Sequence, residues 1–123
     1  MNPQSSFEEA QKYEASGKLA QAAASYKKLV ASSQDARFHI AYGRCLQQFG
    51  HWEQSVVQFE RGLELKPHYC GSDARLMLAE SYLKVGSKPK AIREWHIVAG
   101  MKPEYPSYEA TINAATELLQ RNA

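Results

Sequence analysis

The sequence has few cysteines and no strong charge excess, and these absences exclude several classes of protein. Its 123 residues contain two cysteines, Cys45 and Cys70, which form no C-x-x-C pair. Two thiols do not make a disulfide framework, so we expect no structural bridge between them. Fifteen Lys and Arg against thirteen Asp and Glu leave a formal charge of +2. That small, scattered excess indicates no nucleic-acid partner and no anionic membrane surface.

A long apolar run is also absent. No stretch approaches the roughly 20 apolar residues that a membrane-spanning helix needs. The segment from Met1 to Glu9 has no basic region followed by an apolar run, so no secretory signal is visible. We therefore expect a cytoplasmic protein. Apolar residues make up 44% of the chain, enough to bury a core, and the length predicts a single domain over residues 1–123.

Motifs of catalytic chemistry are lacking as well. The sequence contains no G-x-S-x-G, no phosphate-binding glycine loop and no H-E-x-x-H. The histidines are His39, His51, His68 and His96, and no two of them are four residues apart, the spacing of a zinc-binding helix. His68 lies near Cys70, but no further ligands are evident. We predict no enzyme activity, no metal and no cofactor.

What the sequence does have is an internal repeat marked by three glycines. Gly17, Gly50 and Gly86 are separated by 33 and 36 residues. Small residues recur seven positions before and five positions after each glycine, and an aromatic residue recurs nine positions after it. The small residues are Ala10, Gly43, Ala79, Ala22, Ser55 and Ala91, and the aromatic residues are Tyr26, Phe59 and Trp95. Pro67 and Pro103 follow in the second and third copies, where the first copy has Gln34.

Each recurring feature has a structural reason. A glycine after an apolar run can end a helix in the left-handed conformation, and small residues let two antiparallel helices approach closely. Between these marks the apolar residues follow a three-four spacing, as in Phe38, Tyr42, Cys45, Leu46 and Phe49, which predicts helices. Asp35 and either Ser72 or Asp73 are the expected N-caps. A seventh helix is predicted from Tyr108, Ile112, Ala115, Leu118 and Leu119.

This pattern resembles the tetratricopeptide repeat (TPR) family. The resemblance implies an all-α fold of seven helices: an αα-superhelix (solenoid) of three TPR helical hairpins plus a C-terminal capping helix. The repeats would span about residues 4–34, 36–68 and 72–104, and the capping helix about 107–121. Such arrays bind a peptide or protein segment in a concave groove lined by the first helix of each repeat. The resemblance therefore implies a non-catalytic protein-interaction module with a protein or peptide ligand.

The groove positions can be placed by counting back three, six, ten and thirteen residues from each glycine. The candidate groove residues are Phe7, Gln11, Glu14, Arg37, Ile40, Arg44, Gln47, Leu76, Glu80 and Leu83. We expect Phe7, Ile40, Leu76 and Leu83 to be apolar anchors for the ligand. Arg37 and Arg44 are candidates to pair with an acidic side chain of the ligand. For any single polar residue, the alternative is the solvated side of an amphipathic helix.

Some TPR proteins hold the C-terminal carboxylate of a chaperone with a clamp of Lys, Asn and Arg. The matching positions here are occupied by Phe7, Gln11, Ile40, Ala41, Arg44, Asp73 and Met77. Only Arg44 suits a carboxylate and Asp73 would repel one, so we predict no such clamp.

A second function remains open. The chain would then be an assembly subunit that self-associates, as a homodimer for instance, or docks on a fixed partner. It would use terminal or convex surfaces, such as the segment from Tyr108 to Leu119.

Overall fold

The computed structural model describes residues 2–66, 71–104 and 106–122, and all of its regular secondary structure within these ranges is helical. The seven helices are α1 (Pro3–Ala15), α2 (Leu19–Ser32), α3 (Ala36–Gln48), α4 (Trp52–Leu65), α5 (Gly71–Lys84), α6 (Lys88–Ala99) and α7 (Pro106–Arg121). The predicted all-α class with seven helices is thus confirmed for the described residues. Pro67, His68 and Cys70, which entered the sequence argument, lie outside them.

The helices form two compact units, Met1–Tyr69 and Cys70–Ala123. In the first unit α1 packs on α2, α2 on α3, and α3 on α4. In the second unit α5 packs on α6, and α7 packs on both of them. Each predicted repeat therefore contributes one pair of packed helices. The assignment of the whole chain to a single domain stays a prediction.

The three marker glycines end the first helix of each pair in the same way. Gly17, Gly50 and Gly86 have φ angles of 76°, 74° and 83°. In each turn the residue after the glycine donates its N–H to a carbonyl five positions back, as Lys18 does to Tyr13 at 2.8 Å. This hydrogen bond closes a Schellman cap, which a side chain at the left-handed position would strain. The glycine prediction is confirmed at all three turns.

The small residues lie where the paired helices touch. Ala10, Ala22, Ser55, Ala79 and Ala91 have no exposed surface, and Gly43 is buried. A Cβ at Gly43 would lie 2.9 Å from the Phe59 ring, closer than carbon atoms normally approach. The aromatic residues predicted beside these contacts, Tyr26, Phe59 and Trp95, are also buried. The spacing argument is confirmed at these positions.

The helix starts were predicted less accurately than the helix ends. Asp35 caps α3 as expected, because its side chain accepts a hydrogen bond from the Arg37 N–H at 2.9 Å. The expected caps of α5 are wrong, since that helix already begins at Gly71 and includes Ser72 and Asp73. Asn2, which the sequence argument overlooked, caps α1 through the N–H of Ser5 at 2.8 Å.

Helix α7 covers the second unit in the way a capping helix would. Its Thr111 and Ala115 are buried, and Ile112, Leu118 and Leu119 are half-buried. The apolar stripe predicted for this helix therefore faces α5 and α6 of its own unit.

Candidate peptide-binding face

Side chains of the first two candidate helices, α1 and α3, meet on one surface of the first unit. We call this surface the α1–α3 face and define it by six residues: five polar members of the predicted set, Gln11, Glu14, Arg37, Arg44 and Gln47, together with Gln4, thirteen positions before Gly17. Hydrogen bonds from two arginines of α3 reach α1. Arg37 donates from Nη1 to Gln4 Oε1 at 3.0 Å, and Arg44 donates to Glu14. The prediction that these residues share a surface on neighbouring helices agrees with these contacts.

The Glu14–Arg44 pair is a bidentate ion pair. Arg44 Nε lies 2.7 Å from Glu14 Oε2, and Arg44 Nη2 lies 2.8 Å from Glu14 Oε1. The Tyr26 hydroxyl of α2 also donates to Glu14 Oε1, at 2.9 Å. One carboxylate thereby links three helices. Its side chain is only 16% exposed, against 39% for Arg44.

The charge state of Glu14 follows from these contacts. Burial by itself raises the pKa of the carboxyl group, because it penalises the charged form. The hydrogen bonds from Arg44 and Tyr26 outweigh burial, so the pKa is lowered from its ordinary value of 4.5. The same hydrogen bond raises the pKa of Arg44. Glu14 is therefore ionised, and Arg44 cationic, at neutral pH.

The other arginine of the α1–α3 face, Arg37, is also paired. Its Nη2 lies 2.8 Å from Asp35 Oδ2, and its Nε donates to Asp35 Oδ1 at 3.1 Å. The Arg37 hydrogen bond lowers the pKa of Asp35, which is therefore ionised at neutral pH. The Arg37 guanidinium also lies over the Phe7 ring, 5.2 Å from its centroid, which is cation–π distance.

The structure corrects the expected exposure of Phe7. This side chain is 6% exposed, and its ring lies 5.0 Å from that of Phe38 and 6.0 Å from that of Tyr26. Phe7 belongs to the core of the first unit, beneath Arg37. Phe7 therefore exposes little surface that a ligand could contact.

The structure also corrects the expected exposure of Ile40, and a difference between the repeats bears on it. Ile40 is 5% exposed, and a Cβ at Gly62 of α4 would lie 2.6 Å from Ile40 Cδ1. Gly62 stands twelve residues after Gly50, where the other copies have the buried Leu29 and Val98. Because Gly62 has no side chain, Ile40 packs directly against the backbone of α4. This substitution in the repeat is a signal that the sequence argument missed.

The remaining positions of the α1–α3 face are uncharged. Gln11 is exposed, and Gln47 is half-buried and makes polar contacts of its own. With both arginines paired, this face offers amide groups and neutralised charges above a buried apolar layer. Such a surface can hydrogen-bond a peptide and exclude water from it, but it has no nucleophile or acid–base pair arranged for catalysis.

The second unit carries its three candidate positions on one side of α5. Leu76 is half-buried, Glu80 is exposed, and Leu83 is 40% exposed. Leu83 is thus the candidate apolar residue that the structure leaves most open to solvent. Whether any of the ten candidates touches a ligand stays a prediction.

An ion pair inside the second unit was not predicted. Arg75 of α5 donates from Nη1 to both carboxylate oxygens of Glu94 of α6, at 3.0 and 3.1 Å. Glu94 is 7% exposed. The two residues of this pair stand eleven positions before and eight positions after Gly86, and the equivalent residues of the second repeat, His39 and Gln58, are also in contact, with His39 Nδ1 2.8 Å from Gln58 Oε1. The repeat spacing therefore contained a signal for this contact.

A cleft of about 360 Å³ on the first unit was also not predicted. It is lined by Ala23, Ala24 and Lys27 of α2, Tyr42, Leu46 and Phe49 at the end of α3, and His51 and Gln54 at the start of α4. Phe49 is 42% exposed, and its ring centroid lies 6.0 Å from that of His51. Most of the residues that line this cleft are apolar or aromatic.

Two kinds of feature are absent from the described ranges. Within residues 2–66, 71–104 and 106–122, no three His, Cys, Asp or Glu side chains come together as metal ligands would. Among the helices of those ranges, none combines the length and apolar character needed to cross a bilayer.

Comparison with known proteins identifies the fold through solved structures. No protein-family model matches the chain. No curated protein matches it either. PcrH from Pseudomonas aeruginosa, solved in complex with the chaperone binding region of PopD, is 20% identical, with a TM-score of 0.85 over 96% of this chain and 88% of that one.

Two further structures are similar. The Yersinia enterocolitica type III secretion chaperone SycD, in complex with a peptide of the translocator YopD, is 20% identical, with a TM-score of 0.80 over 97% of this chain and 92% of that one. MamA is 22% identical, with a TM-score of 0.77 over 94% of this chain and 67% of that one. At these identities the likeness establishes a common helical fold.

Proposed function

We propose that this chain is a non-catalytic interaction module of the tetratricopeptide type that binds a segment of another protein. The observation that carries the proposal is the α1–α3 face. Its polar side chains link α1 and α3, the first helices of two repeats. Gln11 stays exposed on this face, and helix packing within the unit does not require it. The fold supports the same function, because PcrH and SycD were each solved with a segment of a translocator protein.

The ligand would lie along α1 and α3 and make most of its contacts with amide groups and aliphatic stems. Surface ion pairs contribute only about 0–1 kcal/mol each, so shape and apolar contact must supply most of the affinity. In the second unit, Leu83 and Leu76 of α5 are the candidate apolar contacts. Each unit is tested by its own variants.

The test uses the purified full chain and a displayed library of random peptides. Enriched peptides are synthesised, and their affinity is measured by isothermal titration calorimetry. Gln11→Glu should weaken binding about fivefold or more, as expected for a cost of about 1 kcal/mol at a contact. Its matched control is Gln21→Glu, the same exchange at an exposed position of α2.

Leu83→Glu tests the second unit, with Ile97→Glu of α6 as its control because both side chains are 40% exposed. Amide chemical shifts of the labelled protein should change in α1 and α3 when a peptide is added. A library that yields no binding peptide, or a Gln21→Glu variant as weak as Gln11→Glu, would contradict the proposal.

Self-association is the second candidate function, and two exposed apolar side chains favour it. Val57 of α4 is 59% exposed and Phe49 is 42% exposed. Sedimentation of the wild type against Val57→Glu distinguishes the candidates. A concentration-dependent dimer that the substitution abolishes would favour the assembly function, and a monomer at all concentrations would exclude it.

A further inference from the structure

The charges of the α1–α3 face are paired within the protein. Arg44 is held by Glu14, and Arg37 is held by Asp35 and Gln4. A cation that already has a bidentate carboxylate partner gains little from a second one. The acidic ligand side chain that the sequence led us to expect beside these arginines would therefore meet, at Arg44, a cation whose charge Glu14 already neutralises.

Glu14 is better placed than a ligand carboxylate to pair with Arg44. Both of its carboxylate oxygens are bonded to Arg44, and Oε1 also accepts from Tyr26. Displacing it would leave a largely buried carboxylate without its cation, which costs more than an exposed pair contributes. A ligand carboxylate that approached without displacing it would meet a like charge.

We propose that Glu14 is a specificity-determining residue, which makes the α1–α3 face disfavour acidic segments relative to uncharged ones. This inference rests on the proposed function, because it names the chemistry of the segment bound there. It predicts that the face changes its preference when substitution of Glu14 alone releases Arg44.

The experiment compares wild type with Glu14→Gln in the same displayed-peptide library. Gln keeps the size of the side chain and an acceptor for the Tyr26 hydroxyl while removing the charge. Wild type should enrich peptides poor in Asp and Glu, and Glu14→Gln should enrich acidic ones. Glu53→Gln, at an exposed position of α4, changes the net charge by the same amount and should behave as wild type.

A matched peptide pair makes the effect quantitative. One peptide enriched by wild type is synthesised with either Gln or Glu at each position in turn. At the position nearest Arg44, Glu should weaken binding to wild type about tenfold, and this penalty should disappear or reverse for Glu14→Gln. Adding Arg44→Gln to Glu14→Gln should abolish the gain for acidic peptides, because the released cation is then gone. Amide spectra of each variant verify that it is folded.

The outcomes separate the two proposals. If wild type and Glu14→Gln bind peptides with the same preference for or against acidic residues, the inference about Glu14 is overturned while the proposed function stands. The same conclusion follows if the double variant keeps the gain. If neither protein enriches any peptide, the proposed function fails and the inference fails with it.

Discussion

At the scale of single residues, Glu14 is the side chain on which several features of the first unit depend. It accepts hydrogen bonds from α2 and α3 while belonging to α1. Burial, which alone would raise its pKa, is outweighed by two donors that act on the charged form. The folded chain therefore binds the proton of Glu14 less tightly than the unfolded chain does. The free energy of unfolding must then depend on pH.

We predict that the stabilising contribution of Glu14 is complete above the unfolded pKa near 4.5 and is lost as the pH falls through its lower folded pKa. Glu14→Gln should lower the free energy of unfolding at neutral pH. On acidification, the free energy of unfolding of this variant should fall less than that of wild type. Denaturant unfolding between neutral pH and a pH of about 3 measures both. Glu53→Gln is the control and should keep the wild-type acid dependence. A Glu14→Gln profile parallel to that of wild type would disprove the ion-pair contribution.

At the scale of the helices, the three pairs use one device to turn the chain. The glycine at each turn is left-handed, and the second helix of each pair starts at the second residue after it without a side-chain cap. The stop signal of the first helix therefore also sets the start of the second. An L side chain in the left-handed conformation costs about 1–2 kcal/mol, so the turns should be sensitive to substitution.

We predict that Gly86→Ala destabilises the protein by about 1–2 kcal/mol through backbone strain alone. No atom lies within 4 Å of the Cβ that it would add, so a clash does not contribute. Gly71→Ala is the matched control, because no described atom lies within 4 Å of its added Cβ either and its φ is not positive. Thermal unfolding of both variants tests the argument. It would be refuted by equal melting temperatures for the two.

At the scale of the whole molecule, the chain forms two units, and each has its own core. In the first, Phe7, Tyr26 and Phe38 pack together across three helices. In the second, Trp95, Leu78 and Val98 are at most 2% exposed. The stability of helical-repeat proteins is close to a sum of local and nearest-neighbour contributions. A destabilising substitution in one core should therefore affect mainly the helices near that core.

We predict that Gly43→Ala accelerates amide hydrogen exchange in α1–α4 more than in α5–α7. The added methyl group would meet the Phe59 ring at 2.9 Å, and overpacking of this kind costs about 1–3 kcal/mol. Exchange followed residue by residue by NMR provides the measurement, with Gly71→Ala as the control in the second unit. Equal acceleration in both units would mean that the chain opens as one cooperative body.

The repeat spacing was sufficient to predict the helices, their glycine turns and the small residues between them. These features depend on local conformation and on which residues share one side of a helix, and both are encoded in positions along the chain. Gly17, Ala22 and Tyr26 are examples in which counting alone placed a residue correctly. The same counting chose α1 and α3 positions that do meet, such as Glu14 and Arg44.

The sequence by itself therefore determined the elements and the residues that each helix turns toward its neighbours. Only the tertiary structure decided how deep Phe7 and Ile40 lie, and that the arginines of the α1–α3 face are already paired. Those outcomes depend on distances between helices and on the volume left open at Gly62, and such distances are set by all the packed side chains together. Spacing along one chain contains no measure of them.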